Sequence, residues 1–193
     1  VATTYHAMKR GEVKAGDVVA IFGIGGLGVN AIQLARTFRA GKVIALDRKE
    51  EKRKLALELG ADEAVDLNSP TLRKELKALS GGEGVDVAFE FIGVNTTVQQ
   101  AIECVRKGGK AILVGLITGN FQANGFLTVA KEIDIRGVWT SVKQDYPHII
   151  ELVRSGKVDL SRSITHRLSL AEINRGLEIL ESREGNPLRI VVM

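Results

Sequence analysis

Six consecutive residues, Gly23-Ile24-Gly25-Gly26-Leu27-Gly28, carry the most informative spacing in the chain. They fit G-x-G-x-x-G, in which each glycine has a separate job beside a phosphate. Gly23 permits a tight turn, Gly25 lets the backbone approach a pyrophosphate, and Gly28 lets the next helix pack closely on the preceding strand. The unsatisfied N–H groups at the start of that helix then meet the negative charge of the ligand. The second chemical residue is Asp47, nineteen residues beyond Gly28. An acid about 20 residues on is where a dinucleotide places its adenosine ribose. A carboxylate there accepts hydrogen bonds from the ribose hydroxyls and repels a 2′-phosphate, which favours NAD over NADP. Arg48 leaves two roles open: company for a 2′-phosphate, or a solvent-facing side chain over the adenine.

Such residues need a strand before them and a helix after. Val18-Val19-Ala20-Ile21-Phe22 is a continuous apolar run, the mark of a parallel strand buried on both faces. After the glycines, Ala31, Leu34, Ala35 and Phe38 share one helical face. The alternation continues with strand 43–46, a charged helix over 49–59 closed by Gly60, and a weak strand at Ala64-Val65. Ser69 reads as an N-cap with Pro70 at the first helical position, and Leu72, Leu76 and Leu79 as the buried stripe. Strand 85–89, a helix marked by Val98, Ala101, Ile102 and Val105, strand 111–114 and an edge strand from Ile133 to Trp139 follow. A short helix over 147–154 comes next. Ser169-Leu170-Ala171-Glu172 is a capping box that opens a helix with Ile173, Leu177 and Leu180, and a last strand spans Leu188 to Val192. Strand–helix alternation through six strands predicts an α/β, doubly wound parallel sheet of the Rossmann kind, with helices on both faces.

Composition removes other classes. With 45% hydrophobic and 26% charged residues, 193 residues are enough for a cored domain and unlike a disordered chain or a fibre. The net charge of +4 is dispersed, which argues against nucleic acid as a partner. One cysteine, Cys104, excludes an internal disulfide and any multi-cysteine metal site, and it reads as an inert, half-buried thiol. No apolar stretch approaches the ~20 residues of a membrane span, so a cytoplasmic location is the expectation. His6, His148 and His166 have no ligand-spaced neighbours; His6 alone falls near the expected cofactor. No catalytic residue and no metal ligand can be nominated.

Several spaced motifs, taken together, resemble one family. They are Thr-Thr-Tyr-His-Ala-Met-Lys-Arg-Gly over 3–11, Lys-Ala-Gly-Asp-Val-Val over 14–19, the glycine loop and Ala31-Ile32-Gln33-Leu34-Ala35. Leu59-Gly60-Ala61-Asp62, Gly108-Gly109-Lys110 and Ile133-Asp134-Ile135-Arg136-Gly137 complete the set. The chain is similar along essentially its whole length to the coenzyme domain of the medium-chain dehydrogenases, the zinc-type alcohol dehydrogenases. The resemblance implies that a GroES-like catalytic domain, carrying the zinc, flanks this chain. Residues 1–15 would then be the end of the catalytic domain and a lead-in helix, 16–155 the dinucleotide-binding domain, and 156–193 a helix and strand returning to the catalytic domain.

The resemblance also implies roles. Gly23, Gly25, Gly26, Leu27 and Gly28 would hold the pyrophosphate and Asp47 the ribose. Lys52 would lie near that ribose or be one more charge on its helix. Ile92 and Gly93 would line the cleft, while Gly115 and Leu116 would meet the nicotinamide. Val138 and Thr140 would flank the carboxamide, Thr3 would pack on the nicotinamide ring, and Arg189 would reach the pyrophosphate. Val94 stands where some members have an arginine. The implied reaction is hydride transfer between an alcohol or polyol and NAD, with alcohol and aldehyde as substrates and this chain inactive by itself. A homodimer or homotetramer would form through edge strand 133–139. Two other readings share the glycine loop: a non-enzymatic NAD(H)-sensing module and a methyl-donor-binding transferase. The terminal strand disfavours the first, and the third glycine at 28 the second.

Overall fold

In β1 (Val18–Phe22), Val19 and Ile21 face one side of the sheet and Ala20 and Phe22 the other, all four buried. Side chains alternate along a strand, so such a run needs cover on both faces. A computed structural model, which describes residues 1–193, shows that cover. β2 (Lys42–Asp47), β3 (Glu63–Asp66), β4 (Val85–Glu90), β5 (Val105–Leu113) and β6 (Asp134–Gly137) join β1 in one sheet. Its order is β3-β2-β1-β4-β5-β6, and every pairing is parallel. The chain order reverses between β1 and β4, the switch point at which open α/β sheets bind ligands.

α1 (Ala2–Gly11), α2 (Gly28–Thr37) and α3 (Glu50–Glu58) cover one face; α4 (Leu72–Leu79) and α5 (Asn95–Cys104) cover the other. The six-stranded doubly wound sheet is therefore as the sequence predicts, and β6 pairs only with β5, leaving its outer edge open.

The departures are local. α4 starts at Leu72 with Thr71 as N-cap; the Ser69 hydroxyl, just ahead of it, donates to the Glu75 carboxylate and accepts from the Thr71 N–H at 3.2 Å. Val105 is not a helical residue but the first of β5, which pairs with Val85 before an irregularity carries the register to Val87 and Lys110. α6 (Gly125–Ala130) has no apolar stripe to announce it; Phe126 and Val129 are exposed, and Asn124 caps it by accepting from the Leu127 N–H at 2.9 Å.

After α7 (Tyr146–Arg154), β7 (His166–Leu168) pairs in parallel with β8 (Ile190–Val192) as a separate two-stranded sheet. α8 (Ile173–Ser182), with Gly176 and Ile179 buried, packs there through Gly176, on which a Cβ would stand 3.1 Å from Leu168 Cδ1 and 3.6 Å from Ile190 Cγ2. Ile173, Leu177 and Leu180, which mark the helix in the sequence, are exposed. Helical spacing marks an apolar face but does not say what covers it.

His6, the one histidine that the sequence allows near the cofactor, joins α1 to the start of α7. Asp145 is fully buried; its carboxylate accepts from Lys9 Nζ at 2.7 Å and lies 3.2 Å from His6 Nδ1. Burial acts to raise the Asp145 carboxyl, but the Lys9 and His6 contacts outweigh it and hold it below its ordinary value of 3.8. A depressed carboxyl contributes stability that is present above its unfolded pKa and lost as pH falls through the folded one. Asp145→Asn is therefore expected to cost about 2 kcal/mol at pH 7, and less at pH 3. Thermal melts at both pH values check this; a difference that does not shrink in acid would contradict it.

Candidate functional site

The glycine loop leaves β1 where its neighbours hold it. The Gly23 N–H donates to the Leu46 carbonyl at 2.8 Å, and Gly23 has φ +92°, a left-handed conformation that favours glycine. A Cβ on Gly28 would stand 2.0 Å from the Gly23 carbonyl oxygen, so the helix can sit this close only with glycine there. A Cβ on Gly25 would meet nothing within 4 Å: its surface is open to the cleft. The amides of Gly25, Gly26 and Leu27 donate to no protein acceptor at the start of α2. Partial positive charge at a helix N-terminus and unpaired donors make an anion cradle.

Asp47 ends β2 beside that cradle. Its Oδ2 accepts from the Ile24 N–H at 2.8 Å and its Oδ1 from the Lys49 N–H at 3.0 Å. The carboxylate is thus pinned to the loop on one side and to the start of α3 on the other. Arg53 steadies the same corner by donating from Nη1 to the Asp47 carbonyl at 2.9 Å. Lys52 is half-buried; desolvation lowers its pKa while the Asp47 charge opposes the shift. Arg48 is exposed on the rim.

These residues line a cleft of about 920 Å³. Gly23, Gly25, Gly26, Leu27, Gly28, Asp47, Arg48, Lys52, Ile92 and Arg189 are all on its wall. Gly93, Gly115, Leu116, Val138, Thr140 and Thr3 are not. Gly93 and Gly115 touch back to back at the ends of β4 and β5, where a Cβ on Gly115 would lie 2.2 Å from the Gly93 nitrogen. Leu116 is exposed, Thr140 has φ +52°, and Val138 is buried, its N–H donating to the Leu113 carbonyl. The cleft brings together the phosphate and ribose positions of the motif and leaves the positions assigned to the nicotinamide outside it.

Several residues with a part here lie outside the motifs that the sequence marks. Glu90 ends β4 fully buried, and its carboxylate accepts from the Ile92 and Gly93 N–H groups, each at 2.9 Å, and from the Thr97 hydroxyl at 2.7 Å. It holds the turn that forms one wall. Leu180, Arg183, Asn186 and Pro187 reach the cleft from the C-terminal segment, and Lys49 Nζ ties that segment down by donating to Asn186 Oδ1 at 2.6 Å. Gln100 lines the cleft with its Oε1 buried and unpaired. The charge around the cleft is lopsided: Arg48, Lys49, Lys52, Arg183 and Arg189 against Asp47 alone.

Zinc does not fit these residues. No three His, Cys, Asp or Glu side chains converge on a point that could hold a metal ion. Cys104, expected half-buried, is buried, and desolvation pushes its thiol up to about 12, which leaves it inert as a ligand. A dinucleotide fits better: the open glycine and unpaired amides match a pyrophosphate, and the pinned carboxylate matches a ribose. No helix is long and apolar enough to cross a membrane.

Comparison with known proteins agrees with this frame. Sorbitol dehydrogenase of Bacillus subtilis (strain 168) is 31% identical over 188 residues, 97% of this chain and 53% of that protein. The alcohol dehydrogenase TADH from Thermus sp. ATN1 superposes with a TM-score of 0.93 at 28% identity, over 100% of this chain and 56% of that one. A chain from Sinorhizobium meliloti 1021, solved bound to NADP, gives 0.90 at 27% identity, again over 100% of this chain and 56% of that one. The chain spans about half the length of the curated relatives it matches. Residues 26–155 match the sequence model described as zinc-binding dehydrogenase, and the chain belongs to that family.

Proposed function

We propose that the cleft binds a nicotinamide dinucleotide, NAD(H) in preference to NADP(H), and that the chain is the coenzyme-binding part of an alcohol or polyol dehydrogenase. The observation that carries the preference is the double anchoring of Asp47. A carboxylate fixed by the Ile24 and Lys49 amides cannot swing aside without breaking both bonds, so it stays where it accepts from ribose hydroxyls and repels a 2′-phosphate. Gly25, Gly26 and Leu27 offer their amides to the pyrophosphate, and the Arg189 guanidinium, whose Nη2 lies 3.9 Å from the Cβ position of Gly26, closes over it. Gly93, Gly115, Leu116, Val138, Thr140 and Thr3 belong to the far, nicotinamide end, beyond the cleft. When bound, the dinucleotide supplies a hydride acceptor or donor at the nicotinamide ring. The chain's own residues bind it, orient it and set its electrostatic surroundings. Activation of an alcohol or aldehyde substrate belongs to residues other than these.

Asp47→Ala tests the reading. NADH affinity is expected to fall about tenfold or more, and the preference over NADPH to narrow, because one carboxylate does both jobs. Calorimetric titration of both nucleotides into the wild-type and variant chains measures it. A variant with the wild-type NADH/NADPH ratio would remove Asp47 from the site.

A further inference from the structure

Gln100 lies one turn beyond Thr97 on α5, and both side chains line the cleft. Its carboxamide Oε1 is enclosed by protein and accepts no hydrogen bond, and it is alone in this among the buried side-chain oxygens and nitrogens of the chain. Its neighbours do not meet that need. The same wall borders a smaller pocket of about 200 Å³ that includes Ser69 and Cys104. The Ser69 hydroxyl is taken by Glu75, and Cys104 Sγ donates to the Ala101 carbonyl at 3.3 Å. Buried polar groups are nearly always paired, and one that is not destabilises the free protein. The terminal torsion of glutamine is soft, so the amide can turn its two ends onto a ligand edge in the cleft.

The place of Gln100 says which edge. The Leu67 N–H donates to the Asp47 carbonyl at 3.3 Å, so the wall made by Leu67 and Asn68 adjoins the ribose carboxylate. A base joined to a ribose held by Asp47 lies along that wall toward α5. A carboxamide presents an acceptor and a donor side by side, the complement of the N6 amine and N7 of adenine. We propose that Gln100 reads the adenine base of the dinucleotide, Oε1 accepting from the N6 amine and Nε2 donating to N7. This rests on the dinucleotide reading above. Hypoxanthine presents two acceptors on that edge, O6 and N7, and a carboxamide can satisfy only one.

The test is calorimetric titration of the full chain with NADH and with reduced nicotinamide hypoxanthine dinucleotide. NADH is expected to bind roughly 10-fold or more tighter, within the range of a good bidentate base contact. In Gln100→Leu, which keeps most of the volume and removes both polar atoms, the ratio is expected to fall close to one without loss of Tm. Equal affinities for the wild-type chain overturn the proposal and leave the dinucleotide reading standing. A Gln100→Leu chain that keeps the wild-type ratio also overturns it. If neither nucleotide binds, the dinucleotide reading falls and this proposal with it.

Discussion

Replacing Gly28 by alanine is expected to lower the Tm by roughly 6–12 °C and to reduce dinucleotide affinity at the same time. The added Cβ would stand 2.0 Å from a backbone carbonyl oxygen, and neither partner is the movable end of a side chain. Helix α2 must shift away from the glycine loop. Overpacking of this kind costs about 3 kcal/mol, and a domain of this size loses 2–4 °C per kcal/mol. Gly25→Ala is the informative companion. Its Cβ meets nothing within 4 Å, so the Tm is expected to stay within about 2 °C of wild type. The methyl group stands on the open surface where the pyrophosphate approaches, and NADH affinity is expected to fall about tenfold or more. Melts and titrations of the two variants separate packing from binding. A Gly28→Ala chain with the wild-type Tm, or a Gly25→Ala chain with wild-type affinity, would contradict these roles.

Glu90→Leu is expected to be as damaging, for an unrelated reason. The buried carboxylate receives the Ile92 and Gly93 amides and the Thr97 hydroxyl; leucine leaves the two amides without an acceptor, while the Thr97 hydroxyl can still donate to the Val94 carbonyl at 3.0 Å. Each unpaired buried donor costs about 1–3 kcal/mol, so a total of roughly 4 kcal/mol and a Tm lower by on the order of 10 °C follow. Glu90→Gln keeps one oxygen acceptor and is expected to lose about half as much. The turn at 91–93 carries Ile92 into the cleft wall, so dinucleotide affinity should fall with stability in Glu90→Leu. Equal melting of Glu90→Leu and wild type would show that the turn does not depend on the carboxylate.

The parts of the site legible in the sequence are those whose chemistry is local. The glycine spacing at 23–28 states its own backbone requirements, and Asp47 follows at a set distance along one strand–helix–strand unit. Glu90 illustrates the opposite case. Flanked by Phe89 and Phe91, it reads as an acid at the end of a buried strand, and only the folded turn shows that three donors converge on it. An acid between two aromatics, two residues before Ile92-Gly93, was the available signal. Asp145 and His6 are separated by 139 positions, and no periodicity joins them. The same holds for Arg183 and Asn186, brought to the cleft by a segment that folds back from the far end of the chain. In α8 the apolar stripe at 173, 177 and 180 fixed the helix but not its orientation, because Gly176 permits the closer packing on the β7–β8 sheet.

Ligand choice at the glycine loop is measured by a parallel calorimetric titration of this chain with NADH, NADPH and S-adenosylmethionine. The cradle at residues 25–27 and the anchored Asp47 predict saturable binding of NADH, weaker binding of NADPH, and none of the methyl donor. Tighter binding of S-adenosylmethionine, or of NADPH over NADH, would contradict an NAD(H) site at this loop.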